Sequence, residues 1–280
     1  MPFSMYPDVV YIGAPRAGST WIWENLSSHP EIWTLPYKSV EYLNGKAGLR
    51  RRKNFKINKA EILSGGSMKS HLWNLHYFLS PVLDDHWYQR LFNPGADRLT
   101  IDIAPSCIRR TTEGIESIHR RMPDAKLLFA LRNPVERTWS HAMQYFVRNQ
   151  QRKLADISHD ELMSYLDKSN QYKNGCYAEV LERWERVYSA DQLYLYFFED
   201  ILQRPAWLLN QICNFLNLEY QVAYFEKTIA QAGNYTGLRE IPEAIEQYLY
   251  QKFELPIRQI QQRLGGHTDR WLANLENHLK

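Results

Sequence analysis

The sequence predicts an α/β fold: a central, mainly parallel sheet flanked by helices, followed by a helical C-terminal part. Three observations predict it. Short apolar runs alternate with segments of helical periodicity. The runs are apolar on both faces, as strands covered by helices on each side must be. Two of the runs pass through a turn directly into a helix start, the arrangement that places ligands at the carboxyl ends of parallel strands.

The first strand is Val9–Gly13, followed by a small-residue turn and a helix beginning near Ser19 in "VVYIGAPRAGSTWIWENLSSHP". The second is Ile32–Leu35. Residues 44 to 97 are less regular and read as an insert shaping the acceptor cleft, with "LSGGSM" as a loop; "LWNLHYF" and "HWYQRLF" read as core-facing helices or as walls of that cleft. The third and fourth strands are Leu99–Ile103 and Lys126–Leu131. Tyr177, Val180, Leu181, Trp184, Val187 and Tyr188 follow the three-and-four spacing of one helix face. The fifth strand is Leu193–Phe198, and Pro205 suits the first turn of the helix that carries Trp207, Leu208, Ile212 and Phe215. After Ala232 the chain reads as helices ending in "LGGHTDRWL". There is no internal repeat or interdomain linker, so residues 1–280 read as one domain.

At 280 residues and 44% hydrophobic content the chain can bury a substantial core. A net charge of only +3 argues against nucleic acid as a partner, and Arg50-Arg51-Arg52-Lys53 reads as a solvated charge run. Cys107, Cys176 and Cys213 are odd in number and far apart, which suits a reducing compartment better than a disulfide framework or a zinc site. Neither a signal peptide nor an apolar run of about 18 residues is present, so a soluble cytoplasmic protein is expected.

Gly13-Ala14-Pro15-Arg16-Ala17-Gly18-Ser19-Thr20 joins strand to helix, and a helix head offers unpaired N–H groups and the positive end of the dipole. Its glycines match the nucleotide-triphosphate loop G-x-x-x-x-G-K-[ST], but Ser19 stands at the lysine position. Arg16 supplies the positive charge. "KLLFALRNPVERTWSHAMQYF" repeats the layout: Asn133 can cap, Pro134 fits the first helical position, and Arg132 ends the strand. Ser140 lies two turns on, and Arg137 and His141 are four apart. Two anion sites on one sheet edge point to a nucleotide with phosphate at both ends.

On these residues the chain resembles the sulfotransferases that use 3′-phosphoadenosine 5′-phosphosulfate (PAPS). The first loop is similar to that family's [KR]-x-G-[ST]-T loop, and "LRNPVERTWSH" to its 3′-phosphate motif, an arginine followed eight residues later by serine. "HPEIW", "DIAPSCI" and "YFFEDILQRPAWLLNQICNFLNL" resemble the glycosaminoglycan and bacterial branch in order and spacing, over roughly Asp8 to Leu218. The resemblance implies that Arg16, Ala17, Gly18, Ser19, Thr20 and Trp21 bind the 5′-phosphosulfate, and that Arg132 and Ser140 bind the 3′-phosphate. It also implies that Asn234 and Gly237 of "NYTGLR" close over the nucleotide, that no metal is used, and that the acceptor is a carbohydrate or another small hydroxylated or amine-bearing molecule.

Transfer to such an acceptor needs cations at the leaving phosphate and a base for the acceptor proton. Arg16 and Lys38 suit the leaving-group side. The family's K-E-x-x-[FY]-F appears as Lys38-Ser39-Val40-Glu41-Tyr42-Leu43, so its catalytic glutamate falls on Ser39. In an extended segment positions 39 and 41 face the same side about 7 Å apart, which makes Glu41 the candidate base. Asp102 and His141 are further candidates; His71 of "KSHL" reads as a surface or packing residue. Two rival readings stand beside this one. A P-loop kinase would use Glu199-Asp200 and Thr20 around magnesium, and a non-catalytic nucleotide-binding protein of the same fold would account for Ser39.

Overall fold

The computed structural model describes residues 5–45, 68–229 and 240–279. Arg50 to Lys53, most of "LSGGSM", and Asn234 and Gly237 lie outside the described residues, as does the side chain of His71.

Five parallel strands form the sheet: β1 (Val9–Gly13), β2 (Ile32–Thr34), β3 (Leu99–Ile103), β4 (Lys126–Leu131) and β5 (Leu193–Phe197). Their order is β2-β3-β1-β4-β5, which centres β1. Val9 lies beside Ile101 of β3 and Lys126 of β4, and Leu131 beside Phe197. Two strands end one residue earlier than the sequence suggests, because Leu35 and Phe198 leave the ladder, the latter to begin a helix.

Every residue of β1 is buried, and β4 is buried from Leu127 onward. Alternate side chains of a strand point to opposite faces, so helices must cover both. Helix α1 (Ser19–Ser28) follows β1. The described part of the 44–97 segment is more regular than its sequence: it holds α2 (Met68–Leu79) and α3 (Asp85–Arg90), which carry Trp73, Trp87 and Tyr88 into the core. The chain continues through α4 (Thr112–His119), α5 (Pro134–Met143), α6 (His159–Leu166), α7 (Ser169–Lys173) and α8 (Tyr177–Glu185). Beyond β5 lie α9 (Phe198–Gln203), α10 (Pro205–Leu216), α11 (Val222–Ile229), α12 (Glu243–Leu264) and α13 (His267–His278). Helices α1, α10 and α11 pack together; α5 and α8 pack against α12, which in turn packs on α13.

Local chemistry explains several boundaries. Asn133 caps α5 by accepting from Val135 N–H at 2.9 Å, with Pro134 at the first helical position. Pro205 opens α10, and Tyr177, Val180, Leu181 and Trp184 form the buried face of α8. "LGGHTDRWL" does not end the helical part. Gly265 and Gly266, at φ 63° and 64°, break the helix there, and α13 runs on to His278.

Candidate functional site

The carboxyl ends of β1 and β4 are neighbours, so their following loops meet above one edge of the sheet. The first loop stands on the core. Ala14 N–H donates to Ala130 O at 2.9 Å, and the buried Tyr11 hydroxyl donates to Ala14 O at 3.2 Å from beneath. Gly18 sits at φ 89°, and no side chain caps α1, whose first N–H groups therefore face the loop without a helical acceptor. A Cβ on Gly18 would lie 2.3 Å from Ile201 Cδ1 in α9. Left-handed strain and the displacement of a buried side chain together make Gly18→Ala cost about 2–4 kcal/mol. Thermal unfolding should therefore drop by roughly 5–10 °C; an unchanged midpoint would refute the tight seating.

Above this loop the cations gather. The Arg16 backbone is left-handed, at φ 71°, and its side chain crosses to α5, where Nε donates to Ser140 Oγ at 3.1 Å and an η nitrogen donates to Gln144 Oε1 at 3.2 Å. In return Arg132, only 4% exposed, donates to Arg16 O at 3.0 Å. The Arg132 guanidinium also lies over the Phe198 ring at 4.2 Å and reaches Glu136 Oε2 at 3.4 Å. Lys38 Nζ donates to Thr20 Oγ1 at the head of α1. Burial, then Arg132 and Arg148, push Arg16 down to about 10; burial, then Arg16, push Lys38 down to about 8. A bound anion would relieve this mutual repulsion, so an uncapped helix head under three converging cations fits a phosphorylated ligand.

The structure thus brings Arg16, Gly18, Ser19, Thr20, Lys38, Arg132 and Ser140 together. Ala17 and Trp21 are fully buried, leaving only backbone groups to offer. Sequence reasoning missed Gln144, Arg148 and Arg109. Gln144 is four residues beyond Ser140, a spacing that places both on one helix face and was there to be read. Arg109 follows β3, and its charge reaches His141 only through the fold.

The candidate bases differ in their surroundings. Ser39 and Glu41 both have left-handed backbones, at φ 63° and 68°, so the extended 7 Å spacing does not describe this segment. Ser39 N–H donates to Ile103 O at 2.9 Å, tying the segment to the end of β3. Glu41 precedes a 3₁₀ turn over Tyr42–Asn44, and its Oε2 accepts from Asn44 Nδ2 at 2.7 Å. Asp102 is fully buried; its Oδ2 accepts from the Tyr88 hydroxyl at 2.7 Å, while Oδ1 has no partner among the described residues. Burial and, secondarily, the charge of Glu41 push Asp102 up to about 6. His141 Nδ1 lies 2.9 Å from Gln171 Nε2 and 2.6 Å from the Tyr165 hydroxyl. Burial, with Arg137, Arg16 and Arg109, pushes His141 down to about 4, so the ring is neutral and poorly suited to act as a base. Arg137 turns inward, donating to Thr138 Oγ1 at 2.8 Å and to Gln171 O at 2.7 Å.

The groups a kinase would place around magnesium are engaged elsewhere. Asp200 accepts from Phe197 N–H at 3.1 Å, Arg204 Nε at 2.8 Å and His267 Nε2 at 3.0 Å, while Glu199 accepts from Trp271 Nε1 at 2.6 Å. Among the described residues no group of three or more metal-ligating side chains converges.

Comparison with known proteins identifies the family and the fold. Residues 7–222 match the sulfotransferase family. Carbohydrate sulfotransferase 15 of Rattus norvegicus is 23% identical over 270 residues, covering 76% of this chain and 44% of the relative. The bifunctional heparan sulfate N-deacetylase/N-sulfotransferase 1 of Homo sapiens is 22% identical over 234 residues, covering 80% of this chain and 23% of the relative. The chain therefore spans less than half the length of these curated relatives. Among solved structures, a sulfotransferase from Alicyclobacillus acidocaldarius superimposes with a TM-score of 0.65 at 20% identity, covering 95% of this chain and 99% of that one. The sulfotransferase domain of the Synechococcus PCC 7002 olefin synthase gives 0.52 at 18% identity, covering 89% and 94%. At such identities the superpositions establish the fold.

Proposed function

Since the chain belongs to the sulfotransferase family, we propose that it moves a sulfuryl group from PAPS to a hydroxyl or amine of a carbohydrate acceptor by in-line displacement. The observation that carries this reading is the junction of two anion-binding turns, from β1 and β4, through the 3.1 Å bond between Arg16 and Ser140. A nucleotide phosphorylated at both ends matches two such turns; a nucleoside triphosphate matches only one. The names of the relatives support a carbohydrate acceptor. No helix among the described residues is long and apolar enough to cross a membrane. Cys107, Cys176 and Cys213 are buried free thiols, which supports the part of the cytoplasmic expectation that rests on cysteine usage.

When bound, PAPS supplies the sulfuryl group and a 5′-phosphate as leaving group. The amides of Gly18, Ser19 and Thr20 offer N–H donors at the helix head, and Lys38 offers a proton and a positive charge beside them. Arg132 and Ser140 select a 3′-phosphate. Glu41, held near the end of β3, takes the acceptor proton as its oxygen attacks.

Binding measured calorimetrically without magnesium tests the donor. Adenosine 3′,5′-bisphosphate should bind far more tightly than ADP or ATP; equal or stronger magnesium-dependent binding of ATP would overturn the reading. Lys38 gives a second test. A lysine needed in its charged form supports activity below its pKa and loses it as pH rises, so kcat/KM, which reports the free enzyme, should fall above about pH 8. Lys38→Arg should move that limb upward, and a limb unmoved by the change would remove Lys38 from the chemistry.

A further inference from the structure

The turn that carries Glu41 is fixed in the core by the buried side chains of Val40 and Leu43, whereas Glu41 and Tyr42 between them are only part-buried. Glu41 has a left-handed backbone, at φ 68°, a conformation costly for a residue with a Cβ and kept only where surroundings impose it. We propose that Asp85, at the start of α3, is a positioning residue for the acceptor-side base: by receiving the Tyr42 hydroxyl it keeps the Glu41 backbone left-handed and so aims its carboxylate. This role rests on the reading of Glu41 as that base.

Three observations carry it. First, Tyr42 follows Glu41 directly, and its hydroxyl donates to Asp85 Oδ1. Its ring is stacked on that of Tyr88, with 4.3 Å between centroids and 15° between planes, and Tyr88 in turn donates to Asp102 Oδ2 at 2.7 Å. Tyr42 is therefore gripped at its face and at its tip, which leaves the peptide it shares with Glu41 little room to turn. Second, Asp85 is not needed by its own helix. Asp84 caps α3 by accepting from Trp87 N–H at 2.8 Å, so the next carboxylate is free to serve the Glu41 turn.

Third, Asp85 is itself held by another element. Arg121, just beyond α4, places Nε 2.8 Å from Asp85 Oδ1. Burial raises the Asp85 carboxyl, but the bonds from Tyr42 and Arg121, with a smaller one from Tyr6, outweigh it and keep the group below the usual carboxylate range. It is thus a charged acceptor at neutral pH. The Asp85 side chain is 45% exposed and that of Arg121 36%, so the ion pair adds little to stability. What the cluster supplies is orientation, and variants of it should fold.

The test sets three variants beside Glu41→Gln: Tyr42→Phe, which keeps the ring and removes the hydroxyl; Asp85→Ala, which removes the acceptor; and Asp85→Asn, which keeps an acceptor oxygen without the charge. Transfer from labelled PAPS to a glucosamine oligosaccharide, which presents both hydroxyls and amines, gives kcat, and crystal structures give the φ of residue 41. Tyr42→Phe and Asp85→Ala should each lower kcat about 5–30-fold, the population shift expected when a left-handed residue is released. KM and the binding of adenosine 3′,5′-bisphosphate should stay unchanged, which shows that each variant is folded. Asp85→Asn should remain within about threefold of the unaltered protein. In the Glu41→Gln background neither change should lower kcat further, since both act through the carboxylate. In the two slowed variants Glu41 should leave the left-handed region, a readout that stands whether or not this glycan is an acceptor. The proposal is overturned if that φ is unmoved, if Tyr42→Phe and Asp85→Ala turn over normally beside a crippled Glu41→Gln, or if they slow Glu41→Gln by the same factor again. Failure of the underlying base reading looks different: Glu41→Gln itself then turns over normally.

Discussion

Arg132→Ala should lower affinity for adenosine 3′,5′-bisphosphate by roughly 10²–10³-fold while leaving ADP within a few-fold. The residue is buried and does three things at once. On the proposed reading it offers charge to the 3′-phosphate; in the structure it offsets Glu136 at 3.4 Å and holds the first loop by donating to Arg16 O at 3.0 Å. Losing the charged hydrogen bond costs about 1.5–3 kcal/mol. Leaving Glu136 beside an incoming phosphate adds to this, discounted because that carboxylate is 35% exposed. A total near 3–4 kcal/mol gives the stated range. Calorimetry on the two nucleotides checks it, and a variant that still prefers the bisphosphate by the original margin would show that Arg132 does not read the 3′ end.

The second large effect is expected on turnover. Glu41→Gln should reduce kcat by about 10²–10⁴-fold, the usual contribution of a positioned base, with donor affinity unchanged. The amide keeps an acceptor for Asn44 Nδ2, so the local turn survives and the loss reports the proton step. Asp102→Asn is the companion experiment. Its carboxyl is fully buried behind Tyr88, so it should alter the pH dependence more than the maximal rate. Normal turnover in Glu41→Gln combined with a large loss in Asp102→Asn would transfer the role to Asp102.

The sheet was readable because its strands are apolar on both faces, a pattern that few other structures produce. The start of α5 was readable because Asn133 and Pro134 are themselves the cap and first turn. The hidden parts depend on tertiary contact. No local signal says that Arg16 adopts φ 71°, since the bond that holds it comes from Arg132, 116 residues away. The same holds for Ser39, whose left-handed backbone sits where its N–H is tied to Ile103 O, 64 residues away. The helices α2 and α3 were readable as core-facing helices in "LWNLHYF" and "HWYQRLF", and Trp73, Trp87 and Tyr88 are the residues they bury; their bounds were not, because aromatic residues suit strands as well as helices when spacing is short.

The seating of Gly18 on Ile201 reaches beyond stability. The residue beneath Arg132 is Phe198, one turn before Ile201 on α9, so a single short helix underlies both the loop after β1 and the loop after β4. Three stretches scattered over almost two hundred positions are therefore one mechanical part. In lineages descended from this protein they should drift as a set: a side chain gained at 18 has to be answered by a smaller residue at 201, and a lost ring at 198 at 132, before either change can spread.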